Sequence, residues 1–387
     1  MQRFLCAAIA ALALAGCGGG SSVPASNAAI TAASGQQVFR YDTFGDEAFW
    51  TNTLHMNQVV QTAVDPTTAL SVGLKVDADA LPPDVLAALQ AGQIDLKSPA
   101  TTVTLLKLNA VVGIQATVDA KNNITSFGVS CALCHSTVDN RIAKGIGSRL
   151  DGWPNRDLNP GAIIALSPAV TAAQKAVYSS WGPGRYDPRF NEDGKNGPVL
   201  IPPAYGLAGV NLATYTGDGD VGYWNRYVAI TQMHGMGNFS DPRLGIVVTA
   251  ATDLVNPVVP ALVSYELSLP KPPAPGGSYD AAAAARGQAV FNGAGRCLSC
   301  HSGTTFTDAN VTLHQPSDTG MDPGWALRSA TKEYRTTPLR ALWQHPPYFH
   351  DGSAPTLAAV VDHYDTYLNL GLSAQQKGDL VQYLTSL

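Results

Sequence analysis

Charged residues are scarce in this chain. Only 14% of its 387 residues are Asp, Glu, Lys or Arg, and the net charge is −5. Proteins that bind nucleic acid carry clustered Lys and Arg, and no such cluster is present here. The composition therefore argues against nucleic acid as a partner.

Cysteine is also rare, and its distribution is uneven. Two of the six cysteines lie at positions 6 and 17, and the other four form two C-x-x-C pairs. No cysteine is left to build a disulfide framework. A zinc site would need further soft ligands beside each pair, and a thioredoxin-like redox pair would not explain the His that follows each of them. Another chemistry has to account for the pairs.

The two pairs read Cys131-Ala-Leu-Cys134-His135 and Cys297-Leu-Ser-Cys300-His301. C-x-x-C-H is the attachment sequence of c-type haem, in which two thiols bind the porphyrin and the adjacent imidazole binds the iron. Two thiols three residues apart on one helical turn can reach one porphyrin edge. The sequence therefore predicts two covalently attached haem c groups. Their predicted attachment and iron-binding residues are Cys131, Cys134 and His135 for the first, and Cys297, Cys300 and His301 for the second.

The N-terminus has the features of an export signal. An apolar run from Phe4 to Ala15 follows a single positive charge and is too short to span a bilayer. Leu14–Cys17 is similar to a bacterial lipobox, so we expect residues 1–17 to be a lipoprotein signal peptide and Cys17 to be lipidated. Ordinary cleavage nearby is the alternative. We expect the mature protein at the periplasmic face of a bacterial membrane, with the outer membrane favoured, behind a flexible linker at 18–32.

Segments of the chain repeat on both sides of the two motifs. Ala33–Phe39 matches Ala285–Phe291 at five of seven positions, and Leu262–Leu269 matches Leu380–Leu387 at five of eight. Because the echoes flank both motifs in the same order, the chain is predicted to contain two copies of one unit.

The second copy is compact. Asp280 can cap a helix, Gly287 would let another helix approach closely, and Ser373–Leu387 has the pattern of an amphipathic closing helix. This order resembles a class I cytochrome c, in which the first and last helices cross beside the haem.

The resemblance implies a mainly α fold with two tandem class I cytochrome c-like domains. We expect them at 33–269 and 278–387, joined by a Pro-rich linker at 270–277. The first domain carries a large mixed α/β insertion at about 40–126. Within it Pro83–Ala91 is predicted to be helical, and β-branched runs at Thr101–Leu108 and Val111–Val118 indicate a small sheet or hairpin.

The end of the chain carries a longer signature. Thr337–Trp343, Pro347–Ser353 and Val360–Tyr364 closely resemble the C-terminal signature of the bacterial dihaem cytochrome c peroxidase superfamily. That superfamily also includes the methylamine dehydrogenase maturation enzyme and the haem rubber oxygenases. The resemblance implies that Tyr364 binds the second haem iron opposite His301, with His363 as the alternative ligand. Peroxidases of this superfamily have Met at this position, and the maturation enzyme has Tyr.

The corresponding region of the first unit offers a different set of residues. His234 is the leading candidate for the open face of the first haem, and Met233 and Met236 are the alternatives. If His234 does not bind the iron, it could act as a catalytic acid or base. Peroxidases of the superfamily have a Glu here, whereas this chain has no acid between Asp220 and Asp241.

Other side chains could contact the haems without binding the iron. Five tryptophans are candidates for bridging the two haems: Trp153, Trp181, Trp224, Trp325 and Trp343. Five arginines are candidates for binding haem propionates, which need a cationic partner when buried: Arg149, Arg156, Arg185, Arg328 and Arg340.

The resemblance implies an exported dihaem redox enzyme of the peroxidase or maturation type. One haem would react, and the other would relay electrons to or from a redox partner protein or a small oxidant. Two alternatives stay open. One is a membrane-tethered electron-transfer cytochrome without catalysis, and the other is a haem oxygenase that acts on a hydrophobic substrate.

Overall fold

A computed structural model describes residues 31–387 and is rich in helix. The predicted signal peptide, Cys17 and all but the last two residues of the predicted linker lie outside the described residues. None of the described helices combines the length and the apolar character that crossing a membrane requires.

Most of the secondary structure consists of short helices. In chain order the α-helices are α1 (Ala32–Tyr41), α2 (Met56–Ala63), α3 (Pro66–Ser71), α4 (Pro83–Gln90), α5 (Pro99–Lys107), α6 (Ala132–His135), α7 (Pro160–Ala165), α8 (Ala172–Ser179), α9 (Phe190–Asp193), α10 (Val221–Tyr227), α11 (Val259–Ser268), α12 (Ala281–Asn292), α13 (Pro316–Thr319), α14 (Leu357–Tyr367) and α15 (Ala374–Ser386). Ala48–Thr53 and Val228–Gln232 are π-helical, and short 3₁₀ turns cover Ala78–Ala80, Cys297–Ser299, Ala326–Arg328 and Leu342–Gln344.

The strands form small two-stranded sheets. They are β1 (Val76–Asp77), β2 (Ile114–Val118), β3 (Ile124–Val129), β4 (Ser136–Val138), β5 (Ile146–Gly147), β6 (Arg149–Asp151), β7 (Arg185–Tyr186), β8 (Val199–Leu200), β9 (Phe239–Asp241) and β10 (Ile246–Val248). β1 pairs with β5 in parallel, and the pairs β2–β3, β4–β6, β7–β8 and β9–β10 are antiparallel. The predicted mainly α character with some strand is therefore confirmed.

The same helix crossing occurs twice. α1 crosses α11 at Gly35, where an added Cβ would overlap the carbonyl oxygen of Ala261. α12 crosses α15 at Gly287, where an added Cβ would overlap the carbonyl oxygen of Asp379. Both glycines are needed because the backbones approach too closely for a side chain. The assignment of the two crossings to cytochrome c-like domains stays a prediction.

Each crossing belongs to its own hydrophobic core. One core contains Phe39 of α1 and Leu262 of α11, and extends through the insertion to Phe127 on β3. The other contains Phe291 of α12 and Leu384 of α15. Burial on this scale is the main favourable term in folding, and the presence of the two crossings in different cores matches the repeat read from the sequence. A smaller third cluster contains Val199, Trp325, Ala326 and Tyr334.

Helix ends form where the local sequence indicates. Asp280 accepts a hydrogen bond from the Ala283 N–H at 2.8 Å and so caps α12. Ser373 and Gln376 form a capping box at the start of α15. These contacts begin the two helices that cross in the second unit.

The insertion is partly as predicted. Pro83–Gln90 is helical, and Ile114–Val118 is a strand of the β2–β3 hairpin. The expectation of strand at Thr101–Leu108 was wrong, because Pro99–Lys107 is the helix α5. Pro99 stands at the first helical turn, and Val103 and Leu106 are buried together, so packing overrides the β preference of the branched residues.

Candidate haem centres

The second C-x-x-C-H motif lines a cavity of about 410 Å³. Its walls are mostly apolar and come from α12, α14, α15 and the segment 334–340. Side chains that face it include Leu339, Leu357, Val361, Leu380 and Leu384, together with Cys297, Cys300 and His301. A concave, largely apolar site with a few polar groups is typical of a cofactor pocket.

His301 is held in the form that binds a metal. Its Nδ1 lies 3.1 Å from the carbonyl oxygen of Phe306, which places the proton on Nδ1 and leaves Nε2 free. Burial lowers the pKa of His301, which favours the neutral imidazole. A neutral, oriented imidazole is the ligand that iron requires.

Tyr364 faces the same cavity from α14. Burial raises the pKa of its hydroxyl, and Cys300 and Cys297 add to the effect. His363 behaves differently, because its Nε2 lies 2.8 Å from the carbonyl oxygen of Thr319 and its ring stacks on Tyr367. The structure thus directs Tyr364 into the cavity and His363 toward the α13 end, while the iron-binding role of Tyr364 stays a prediction.

Two arginines supply the test of whether this cavity fits a haem. Nε and Nη1 of Arg156 and Nε of Arg335 are buried and have no hydrogen-bond partner within residues 31–387. Both side chains line the cavity, and burial lowers the pKa of Arg335 to about 10. A buried guanidinium needs an anionic partner, and the propionates of a haem are such partners. The residues present therefore fit the group.

Only part of this arginine pair was foreseen. Arg156 was one of five candidates, whereas Arg335 was missed, although it stands two residues before the signature begins at Thr337. Among the other candidates, Arg149 pairs with Asp77 and Arg328 pairs with Asp187.

The first motif is held by the insertion. β3 leads directly into the motif, and the N–H of Ser130 donates to the carbonyl oxygen of Gly113, just before β2, at 2.9 Å. The hydroxyl of Ser130 donates to the carbonyl oxygen of Arg40 at the end of α1. The β2–β3 hairpin therefore fixes Cys131 beside the helix crossing of the first unit.

His135 repeats the geometry of His301. Its Nδ1 lies 3.1 Å from the carbonyl oxygen of Pro202, and burial lowers its pKa to about 4. Two thiols and a neutral imidazole with its free nitrogen turned away from that carbonyl are the donor set that haem c uses. The first motif therefore also fits the group.

The residues predicted for the open face of the first haem lie in different environments. His234 is exposed, has a left-handed backbone conformation with φ of 66°, and stacks on Phe49 with 3.7 Å between the ring centres. Met233 is buried in the core, and Met236 is exposed beside Leu254. The aromatic contact of His234 is thus with Phe49 rather than with the motif.

A polar chain that the sequence did not reveal leads from the first motif to the surface. Tyr186 lies close enough to Cys134 that the thiol contributes to the raised pKa of the phenol, after burial as the main cause. Its hydroxyl donates to Gln232 Oε1 at 3.0 Å, and Gln232 Nε2 donates to Glu192 Oε1 at 2.9 Å. Glu192 is on the exposed helix α9, and partial burial raises its pKa.

The hydrogen-bonded row of Tyr186, Gln232 and Glu192 ends in an acid that the spacing of residues in the sequence could not indicate. The sequence has no acid between Asp220 and Asp241, but Glu192 from an earlier segment accepts a hydrogen bond from Gln232, which lies in that range. The one local signal is the π-helical turn Val228–Gln232, a feature that is frequent at functional sites.

Two tryptophans connect the surroundings of the two motifs. Trp153 follows Gly152, whose N–H donates to the carbonyl oxygen of His135 at 2.8 Å. Its ring packs edge-on against Trp343, with 5.7 Å between the ring centres. Trp343 adjoins Leu342, which lines the second cavity. Of the five tryptophans considered, these two therefore connect the surroundings of both motifs.

Comparison with known proteins gave partial sequence matches. The methylamine utilization protein MauG of Methylorubrum extorquens is 39% identical over 87 residues, which is 21% of this chain and 24% of that protein. MauG of Methylophilus methylotrophus is 30% identical over 123 residues, 27% of this chain and 36% of that protein. The cytochrome-c peroxidase IdrP1 of Denitromonas iodatirespirans is 28% identical over 151 residues, 27% of this chain and 40% of that protein. The chain thus covers less than half the length of these relatives.

Solved structures show weaker likeness, and no family model matches the chain. Hydrazine synthase of Kuenenia stuttgartiensis has a TM-score of 0.33 and 21% identity, covering 51% of this chain and 74% of that one. A MauG-like protein associated with microbial copper homeostasis has a TM-score of 0.35 and 18% identity, and the match covers 51% of this chain and 75% of that one. Scores this low carry no argument.

The sequence matches agree with the signature at the end of the chain, which was recognised from its own residues. They confirm that this protein is related to MauG and the dihaem cytochrome c peroxidases, the superfamily that the signature predicts.

Proposed function

We propose that this chain is a dihaem c-type cytochrome that acts as an oxidoreductase of the peroxidase or maturation type. The first haem site would react, and the second would store and relay electrons. The observation that carries the proposal is the inequality of the two sites. The second has apolar walls and a tyrosine directed into its cavity, whereas the first is connected to the surface by Tyr186, Gln232 and Glu192.

Haem c bound at the two motifs would supply one-electron transfer and, wherever one face of the iron is open, the binding of peroxide or dioxygen. At the second motif, the position of Tyr364 supports a closed site, because its side chain faces the cavity that holds Cys297 and Cys300. A closed site suits electron storage.

At the first motif, the polar chain supports a role in proton supply. Reduction of peroxide to water consumes protons as well as electrons. Glu192 would exchange protons with solvent, and Gln232 fixes the direction of the Tyr186 hydroxyl through its Oε1. Tyr186 lies close enough to Cys134 for the thiol to add to the raised pKa of its phenol, and it would hold the proton to be delivered.

Electrons would pass between the sites through the two units' shared surface. Trp153 and Trp343 are in edge contact and lie next to residues that touch each motif. Aromatic side chains in contact provide a short path across an otherwise saturated protein interior. The external partner would be a redox protein or a small oxidant, and export with a lipid tether at Cys17 remains part of the proposal on the sequence alone.

The experiment is peroxide-driven oxidation of a reduced small-molecule electron donor by the haem-loaded protein. We expect turnover in the wild type and a loss of at least about tenfold in Tyr186→Phe, since a positioned proton donor contributes about 10²–10⁴-fold. Tyr178→Phe, a nearby phenol that packs on Trp181 and Phe190, should leave turnover unchanged.

The competing assignments give different results. A loss in His234→Ala with no change in Tyr186→Phe would return the catalytic role to His234. Absence of turnover in a protein that carries both haems would contradict the enzyme and favour an electron carrier.

A further inference from the structure

A carboxyl group is buried in the core of the first unit. Glu266 on α11 is 4% exposed. Its Oε2 accepts a hydrogen bond from Asn225 Nδ2 on α10 at 2.7 Å. Within residues 31–387 it makes no ion pair. Burial of an unpaired carboxylate is costly, so a group in this position binds a proton readily.

The internal repeat shows which residue occupies the equivalent position in the second unit. In the match of Leu262–Leu269 with Leu380–Leu387, Tyr265 corresponds to Tyr383 and Glu266 corresponds to Leu384. Leu384 is buried and lines the second cavity together with Cys297 and His301. By the same helix crossing, Glu266 is directed toward the first motif.

Asn225, which donates the hydrogen bond to Glu266, also takes the place of an apolar residue of the second unit. Asn225 is the fifth residue after Asp220, the N-cap of α10, and Val361 is the fifth residue after Thr356, the N-cap of α14. Val361 also lines the second cavity. Two apolar positions beside the second motif are therefore a hydrogen-bonded Asn and Glu in the first unit.

Electrostatics places the carboxyl near the porphyrin attachment. Burial raises the pKa of the Cys131 thiol, and Glu266 is the first charged group that adds to this effect. Cys131 binds the porphyrin rather than the iron. Glu266 is thus close to the edge of the first haem site without being a candidate ligand.

We propose that Glu266, held by Asn225, binds a proton whenever the first haem site gains an electron. The inference rests on the proposed function only in requiring a haem at the first motif. One electron enters from the redox partner and lowers the local charge by one. One proton from solvent then forms an O–H bond with the Glu266 carboxylate, and both leave again on oxidation.

The ionisation behaviour agrees with this role. Burial raises the pKa of Glu266 to about 7, and the hydrogen bond from Asn225 opposes the shift. The carboxyl is therefore poised near neutral pH, where a change of charge nearby alters its protonation.

The elements packed against α11 carry other ionisable groups. On α1, Arg40 pairs with Asp151, which also accepts the hydroxyl of Tyr265 from α11. On α10, Arg226 lies over Gly222. Asp42, just after α1, also acts on Cys131 and is the acid against which Glu266 has to be distinguished.

The test is potentiometric titration of both haems in the full loaded chain over a range of pH. In the wild type the midpoint potential of the first haem should fall as pH rises through about 7, because reduction is coupled to protonation. Glu266→Gln should remove this dependence. The second haem should behave alike in both proteins, and Asp42→Asn should keep the dependence at the first.

A second variant guards against loss of haem attachment in Glu266→Gln. Asn225→Leu removes the bond that favours the charged carboxylate, so the pH at which the potential changes slope should rise. The infrared difference spectrum between reduced and oxidised wild type should contain a protonated-carboxyl band that Glu266→Gln lacks. Equal pH dependence in wild type and Glu266→Gln, with the band retained, would overturn the inference. Turnover is measured separately, so failure of the enzymatic proposal would leave this result readable.

Discussion

The two predicted haem sites are alike in how their motif histidines are held and differ in the other side chains that lie near each motif. Nδ1 of His135 and of His301 lies 3.1 Å from a main-chain carbonyl oxygen in each case. This bond fixes the tautomer, so the backbone sets which nitrogen would be available to iron. The difference lies in the remaining groups, with Tyr364 facing one cavity and the Tyr186 chain beside the other motif.

The position of Tyr364 leads to a spectroscopic prediction. Tyr364→Phe removes the only atom of that side chain that can bind iron, so the optical and EPR spectra of the second haem should change while those of the first stay the same. His363→Ala is the matched control and should leave both spectra unchanged, since His363 contacts the carbonyl oxygen of Thr319. The reverse pattern would assign the ligand to His363.

A second carboxyl near the first motif predicts a pH effect on stability. Asp46 is 0% exposed, accepts a hydrogen bond from the Val129 N–H, and has its pKa raised by burial to about 9. Because the folded protein holds this proton more tightly than the unfolded chain, stability should be lost as pH rises between about 4 and 9. The slope can approach about 1.4 kcal/mol per pH unit.

Asp46→Asn should remove that loss, as measured by denaturant unfolding at several pH values. Asp84→Asn, at an exposed position on α4, should keep the slope of the wild type. Parallel pH profiles for Asp46→Asn and the wild type would show that Asp46 is not the group responsible.

Among the elements, the helix crossings were the most predictable part of the fold. The repeated Gly in Ala33–Phe39 and Ala285–Phe291, the Asp280 cap and the pattern after Ser373 all act over a few residues, and each has its counterpart in the structure. The helix at Pro99–Lys107 was not predictable from its β-branched residues, because burial against the insertion decides its conformation.

The close helix crossing in the second unit can be tested by adding a methyl group at the contact and measuring the free energy of unfolding. Gly287→Ala should lower the free energy of unfolding by about 1–3 kcal/mol, because the added methyl group meets the Asp379 carbonyl oxygen. Gly378→Ala on α15, where no atom lies within 4 Å of an added Cβ, should instead raise it by about 0.5–1 kcal/mol. Equal effects of the two changes in denaturant unfolding would argue against the tight crossing.

Across the whole molecule, the second cavity belongs to both units. Arg156, Pro202 and Tyr205 from the first unit line it together with Arg335 from the second. The Tyr205 hydroxyl donates to Gln344 Oε1 at 3.1 Å, and Pro202 also accepts the bond from His135. Such contacts join residues far apart in the sequence, which is why Arg335, Tyr186 and Glu192 were not foreseen.

The shared cavity predicts an effect of the first unit on the second haem. Arg156→Met removes a positive charge from the cavity while keeping much of the side-chain volume, so the midpoint potential of the second haem should fall. Arg185→Met is the control, since Arg185 donates to the carbonyl oxygen of Asp351 at the same interface. Equal shifts in the two variants would mean that Arg156 has no special relation to the second site.

The inequality of the two sites can be measured directly by adding carbon monoxide to the haem-loaded protein in the ferric, half-reduced and fully reduced states. Optical spectra in each state report which haem binds the gas. We predict binding at the first haem only, with the second unchanged throughout. Binding at neither haem in any state, or at the second alone, would contradict a reactive first site and a closed second one.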